Sequence, residues 1–147
     1  MYKAKLVKHV RKDMQLADEN GKIVFKASVD VAVDNFINNI PALSKNIKSV
    51  YEKLQKLNAD IVDKNSSEEI LESMQAIGEF TEELSKFINT YLITILGAAK
   101  AHELLMACDN RALDAYCAIV PFVEECIAPE IQNEMNKNMA RIESIMK

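Results

Sequence analysis

Residues 67–97, SEEILESMQAIGEFTEELSKFINTYLITILG, decide the fold. Ile70, Met74, Ile77, Phe80, Leu84, Phe87/Ile88, Tyr91 and Ile95 recur at spacings of three and four, the stripe of one long amphipathic helix. Ser67 is placed to cap it, Glu68 and Glu69 suit the positive end of its dipole, and Gly97 is a natural terminator. Upstream, Leu43, Ile47, Val50, Leu54, Leu57 and Ile61 step 4, 3, 4, 3, 4, a seam of about three heptads. Two such stripes form either an antiparallel helical hairpin or an inter-chain coiled coil, and spacing does not choose between them. The polar stretch Asp63–Ser67 separates them.

Before the helices, residues 2–30 read as a β-hairpin. Asp18-Glu19-Asn20-Gly21-Lys22 is the turn, with Asn-Gly suited to the positive φ values of a type I′ turn. Lys22–Val29 is rich in β-branched residues, and Tyr2–Val10 alternates loosely. Ser28 or Asp30 can cap the next element, in which Val31, Val33, Phe36, Ile37 and Ile40 share a stripe. Pro41 then either ends that helix or sits in the first turn of the next.

After Gly97, residues 98–107 read as a short helix that Asp109-Asn110 breaks, capping its successor. Residues 111–146 read as helical, with a kink at Pro121 and a break before Pro129. The fold class is therefore α+β, predominantly α: an N-terminal β-hairpin followed by a helical bundle with long antiparallel helices. Residues 1–128 form the hairpin and bundle. Residues 129–147 form a C-terminal helix that is peripheral, partner-binding or partly disordered. Its stripe, Ile131, Met135, Met139 and Ile142, is the candidate partner-binding surface. Asp at Ile131 and Met135 should then leave the domain folded and abolish binding; global unfolding would mean that the tail belongs to the core.

Composition limits the chemistry. The chain has 147 residues, 49% of them hydrophobic, with 3 Gly, 3 Pro and no Trp, which suits one helical globular domain and disfavours a β-sandwich or a Gly-rich phosphate loop. Net charge is −4, unevenly spread: residues 1–26 hold seven bases and three acids, the remainder eleven bases and nineteen acids. A basic head suits a weak anionic contact or a contact between copies, but Lys also blunts sheet edges. Cys108, Cys117 and Cys126 lack metal or disulfide spacing, and Cys117 and Cys126 read as small buried hydrophobes.

His102-Glu103 begins the zinc-protease pattern, but position 106 is Met and the other His is His9. The carboxylates Glu68, Glu69, Glu72, Glu79, Glu82 and Glu83 lack a Glu-x-x-His partner and read as a solvated face. The expectation is no enzyme, no metal and no cofactor. The basic residues do not collect on a recognition helix, so nucleic acid is not expected as a partner. The charged first residues contain no signal-peptide core and no apolar run is long enough to cross a bilayer, so the expected setting is cytoplasmic.

Two stretches carry a resemblance. One is strand, Asn20-Gly21-Lys22, strand Ile23–Ser28, then a helix with Val33-Asp34-Asn35-Phe36. The other is Tyr91–Leu105, with Leu96-Gly97-Ala98-Ala99 at its centre, followed by Asp109-Asn110-Arg111 and an apolar helix. Their order resembles the tail-assembly-chaperone-like proteins of Gram-positive phages and prophages. The resemblance covers about half the chain. Ala98 and Ala99 stand where that family carries an acid and a second Gly, and the basic leader Lys3–Lys12 is long for it. It implies a non-catalytic role, binding a long helical protein of the tape-measure type before tail polymerisation. Met74, Met106, Met135, Met139 and Met146 would suit a surface that accepts varied sequence, or fill gaps in the core. The second reading is a helical oligomerisation or adaptor module in which the two seams self-associate.

Overall fold

The computed structural model describes Met1 and residues 8–147. The part of the expected first strand lying in 2–7, with Lys3 and Lys5, falls outside the described residues. Strand β1, His9–Ala17, pairs antiparallel with β2, Ile23–Ala32. Alternation sets the inward face: Val10 opposes Val31, Met14 opposes Ala27, and Phe25 and Val29 complete it. The turn is not type I′. Gly21 alone in it has positive φ, the Gly21 N–H donates to the Asp18 carbonyl at 3.0 Å, and the Asp18 N–H donates to the Lys22 carbonyl at 2.9 Å. The Asp18 carboxylate also accepts from the Asn20 and Lys22 N–H groups. That is the three-residue loop with a glycine bulge, which a short aspartate stabilises.

β2 runs directly into α1, Val33–Asp60. Ser28 and Asp30 therefore lie within the strand and cap nothing. The helix begins without a side-chain cap, and the Val33 N–H instead donates to the Lys8 carbonyl at 2.9 Å, continuing the sheet ladder. Pro41 neither ends a helix nor begins one, because α1 passes through it. The missing N–H costs one intrahelical bond. Packing of Phe36 and Ile40 before it and Ile47 and Val50 after it holds both sides to one core.

A 3-10 turn, Ile61–Asp63, leads to α2, Ser67–Leu96. The cap is Ser66, one residue earlier than expected: its Oγ accepts from the Glu69 N–H at 3.1 Å. The two seams pair within the chain as an antiparallel hairpin. Gly97 ends α2 and starts α3, Ala98–Ala107, with φ 81° and ψ 162°, a region that only glycine enters without strain. A Cβ there would meet no atom within 4 Å, so the cost of a side chain is backbone strain alone. Gly97→Ala is expected to destabilise by about 1–3 kcal/mol, read from urea unfolding midpoints. An unchanged midpoint would mean the α2–α3 corner relaxes freely.

Asp109 and Asn110 both take left-handed φ, 55° and 60°, and turn the chain into α4, Ala112–Phe122. They break α3 as expected but do not cap α4, which has no side-chain cap. The expected break before Pro129 is absent. A π-helical segment, Val123–Ile127, joins α4 to α5, Ala128–Met146, with Pro129 in the first turn of α5. Widening the turn at this point lets a residue without an N–H enter while the helix continues. The expected boundary between 1–128 and 129–147 thus falls inside a continuous helical run.

Both layers close on one core. Its fully buried large side chains are Ile88, Leu92, Ile95, Leu104, Ile119, Ile127 and Val31. Ile131, in the first turns of α5, belongs to it at 3% exposure, and Met135 packs against it. The hairpin lies over α2, α3 and the π segment, and Lys12 on β1 comes within 3.7 Å of Glu130.

Candidate functional site

The buried positions of α1 end at Val50 and those of α2 begin at Leu84. Between them, Tyr51–Glu83 forms a two-helix arm whose α1 side, Tyr51–Asp60, is about 15 Å long at 1.5 Å per residue. No residue of this arm is fully buried. Its seam, with Leu54, Leu57, Ile61, Ile70, Ile77 and Phe80, is half-buried because only the two helices cover it.

The arm has two dissimilar sides. On one, the Lys53 ammonium lies 5.6 Å over the Phe80 ring. On the other, Tyr51, Leu54, Gln55, Asn58 and Ile77 line a groove of about 260 Å³. Tyr51, Gln55 and Asn58 follow one another at helical spacing along that side of α1, and Val62 comes just beyond its end, in the 3-10 turn. For antiparallel right-handed helices sharing this seam, the adjacent stripe of α2 is Leu71, Met74, Gly78, Thr81 and Ser85. Neither stripe contains a charge.

The large apolar side chains exposed along the two helices of the arm lie on this face, Tyr51, Leu71 at 65% and Met74 at 55%, and Val62, at 81%, stands in the 3-10 turn at its tip. Met74, expected on the seam, is therefore beside it, and the half-buried Ser73 is nearer. Gly78 sits mid-helix on the same face with nothing within 4 Å of a Cβ. Neither backbone conformation nor packing within the chain requires glycine there, although glycine in a helix interior costs about 1 kcal/mol. A bare backbone at this point lets another helix approach closely.

At the base, α4 covers the same side of the helical pair. Ile47, Lys48, Tyr51, Leu113, Tyr116 and Cys117 line a second groove of about 300 Å³. Tyr116 meets the buried Tyr91 edge to face, with centroids 5.1 Å apart. Burial pushes both phenols above their ordinary range, and burial also raises the Cys108 thiol. Cys117 is exposed and Cys126 half-buried, against the expectation of two buried thiols, because Ala115 and Ile119 take the inward positions of α4.

The other sequence candidates separate. Of the C-terminal stripe, Ile131 is core and Met135 half-buried, whereas Met139 and Ile142 are exposed, Ile142 at 54%. They do not form one accessible surface. His9 lies on the outer face of the hairpin, bonded through Nδ1 to Asp30, and Arg11 donates to the same carboxylate at 3.0 Å. The Arg11 and His9 hydrogen bonds hold the Asp30 carboxyl below its ordinary value. His102 is exposed on α3, remote in sequence and element from His9. Among the described residues no three His, Cys, Asp or Glu side chains are grouped to hold a metal, and no helix is long and apolar enough to cross a membrane.

Sequence reading located the seam but missed the face beside it. The signal was present: two heptad-spaced stripes without a single charge, in an arm otherwise dense in Glu and Lys. No protein-family model matches the chain, and no curated protein or solved structure matches it.

Proposed function

We propose that this protein is a non-catalytic helix-binding module whose arm receives one long amphipathic helix. The observation that supports this is the concentration of the arm's exposed apolar side chains on one uncharged face. A third helix laid along that face would complete the burial that two helices leave half-finished, by ordinary helix-in-groove packing. The resemblance to tail-assembly-chaperone-like proteins gives the reading its setting. The guest is a helical protein of the tape-measure type, held in the host bacterial cytoplasm until the tail polymerises.

Self-association of the seams is the weaker reading. The seams already pair with one another inside the chain. The arm also carries nine acids and three bases, so copies brought together by their arms repel.

The test is a synthetic helix with Leu at heptad positions a and d, titrated into the full chain and followed by calorimetry. Leu71→Asp with Met74→Asp is expected to weaken binding at least about tenfold, since apolar anchors at the centre of such contacts carry most of the affinity. Both positions are solvent-exposed, so the thermal midpoint should stay where it was. Equal binding by parent and variant would refute the assignment of this face.

A further inference from the structure

We infer that the guest helix is basic: its apolar stripe is flanked by Lys or Arg. This rests on the helix-binding reading and specifies its partner. The arm Tyr51–Glu83 carries nine acids and three bases, net −6, whereas the rest of the chain carries thirteen acids and fifteen bases, net +2. The negative charge of the molecule is therefore localised on the element that presents the open apolar face. Five of the acids, Asp60, Asp63, Glu68, Glu69 and Glu72, crowd the tip around the single base Lys64.

Neutralisation within the chain is slight. Among the described residues, the arm acid with a basic partner is Glu82, 3.5 Å from Lys86, and both side chains are largely exposed. Lys53 is turned away from the open face, over Phe80. On α2, Glu68 and Glu82 border the uncharged stripe on its outer edge, within reach of side chains flanking a bound stripe.

This field decides among occupants. An acidic helix is repelled, and so is a second arm carrying another −6. A basic helix gains by relieving the mutual repulsion of the carboxylates while its Leu, Ile or Met side chains cover the apolar face. Attraction of this kind acts on encounter rate and on choice of partner as much as on affinity. It operates over roughly 10 Å at 0.1 M salt.

The experiment uses the full chain and two synthetic helices with the same Leu stripe at a and d, one with Lys at e and g, the other with Glu. The Lys helix is expected to bind at least about tenfold tighter at low salt, with the gap closing as salt rises. A control separates docking from bulk attraction. Leu71→Asp with Met74→Asp makes the arm more negative, so an attraction to charge alone would strengthen, whereas docking on the face is lost. Equal or tighter binding of the Glu helix would overturn the inference and leave the helix-binding reading intact. Retention of the Lys helix by the double Asp variant would also overturn it. Failure of both helices to bind at any salt would remove the helix-binding reading itself.

Discussion

Ile131→Asp is expected to destabilise the chain by about 4 kcal/mol or more, enough to unfold most of it, while Ile142→Asp leaves the unfolding midpoint within about 0.5 kcal/mol. The two residues lie on the same helix, eleven positions apart, and both belonged to the apolar stripe read from sequence. Their environments differ. Ile131 is 3% exposed and grouped with the core that includes Ile127 and Ile119. Asp there forfeits the transfer energy of a buried aliphatic side chain and leaves a carboxylate out of water. The bases Lys12 and Lys137 already pair with Glu130 and Glu134, at 3.7 and 3.4 Å, so the desolvation of the new carboxylate is poorly offset. Ile142 already faces solvent, so a carboxylate costs only a little helix propensity. Urea unfolding of the two variants decides the matter. Equal midpoints would mean that α5 is detached from the core along its whole length.

The tail also shows which parts of this fold were legible. The long helix α2 could be read because its stripe, its acidic first turn and its terminal glycine agree, and such consistency leaves few alternatives. The hairpin could be read from Asn20-Gly21 and the alternation after it, although the loop type depends on where Asp18 directs its carboxylate, which spacing does not encode. The prolines misled. Pro41 and Pro129 carry a local penalty that the core overrides, through Phe36, Ile40, Ile47 and Val50 around one and through a π turn before the other. A local rule states the penalty and not the packing that opposes it. Ile131 and Ile142 look equivalent in sequence because helical spacing gives a face, and what lies opposite that face at each turn comes from tertiary structure. The open face of the arm was obscured for a related reason. Attention to the strongest stripe hides a weaker one beside it, whose members Gln55, Asn58, Gly78 and Thr81 are not apolar and share only the absence of charge.

Replacing residues 52–82 with a short turn between α1 and α2 is expected to leave a folded body and abolish helix binding. All of the buried hydrophobic side chains lie outside the arm, so the shortened chain keeps the whole core. The deletion loses the half-buried contacts of Leu54, Leu57, Ile61, Ile70, Ile77 and Phe80. It also removes the entropy cost of ordering those residues and the repulsion of a segment carrying −5. These terms oppose one another, and the body's unfolding free energy should change by no more than about 1–2 kcal/mol. Turns of this kind between antiparallel helices need only about 2–8 residues. Binding has no such compensation, because Tyr51 is the one large exposed apolar residue of the face that survives. Circular dichroism and urea unfolding report the body, and titration with the Lys-flanked Leu helix reports the site. A body that cannot fold would mean the arm is part of the folding core despite its exposure. A body that folds and still takes the helix at parental affinity would move the site elsewhere, with the exposed Met139, Ile142 and Ile145 of α5 the next surface to test.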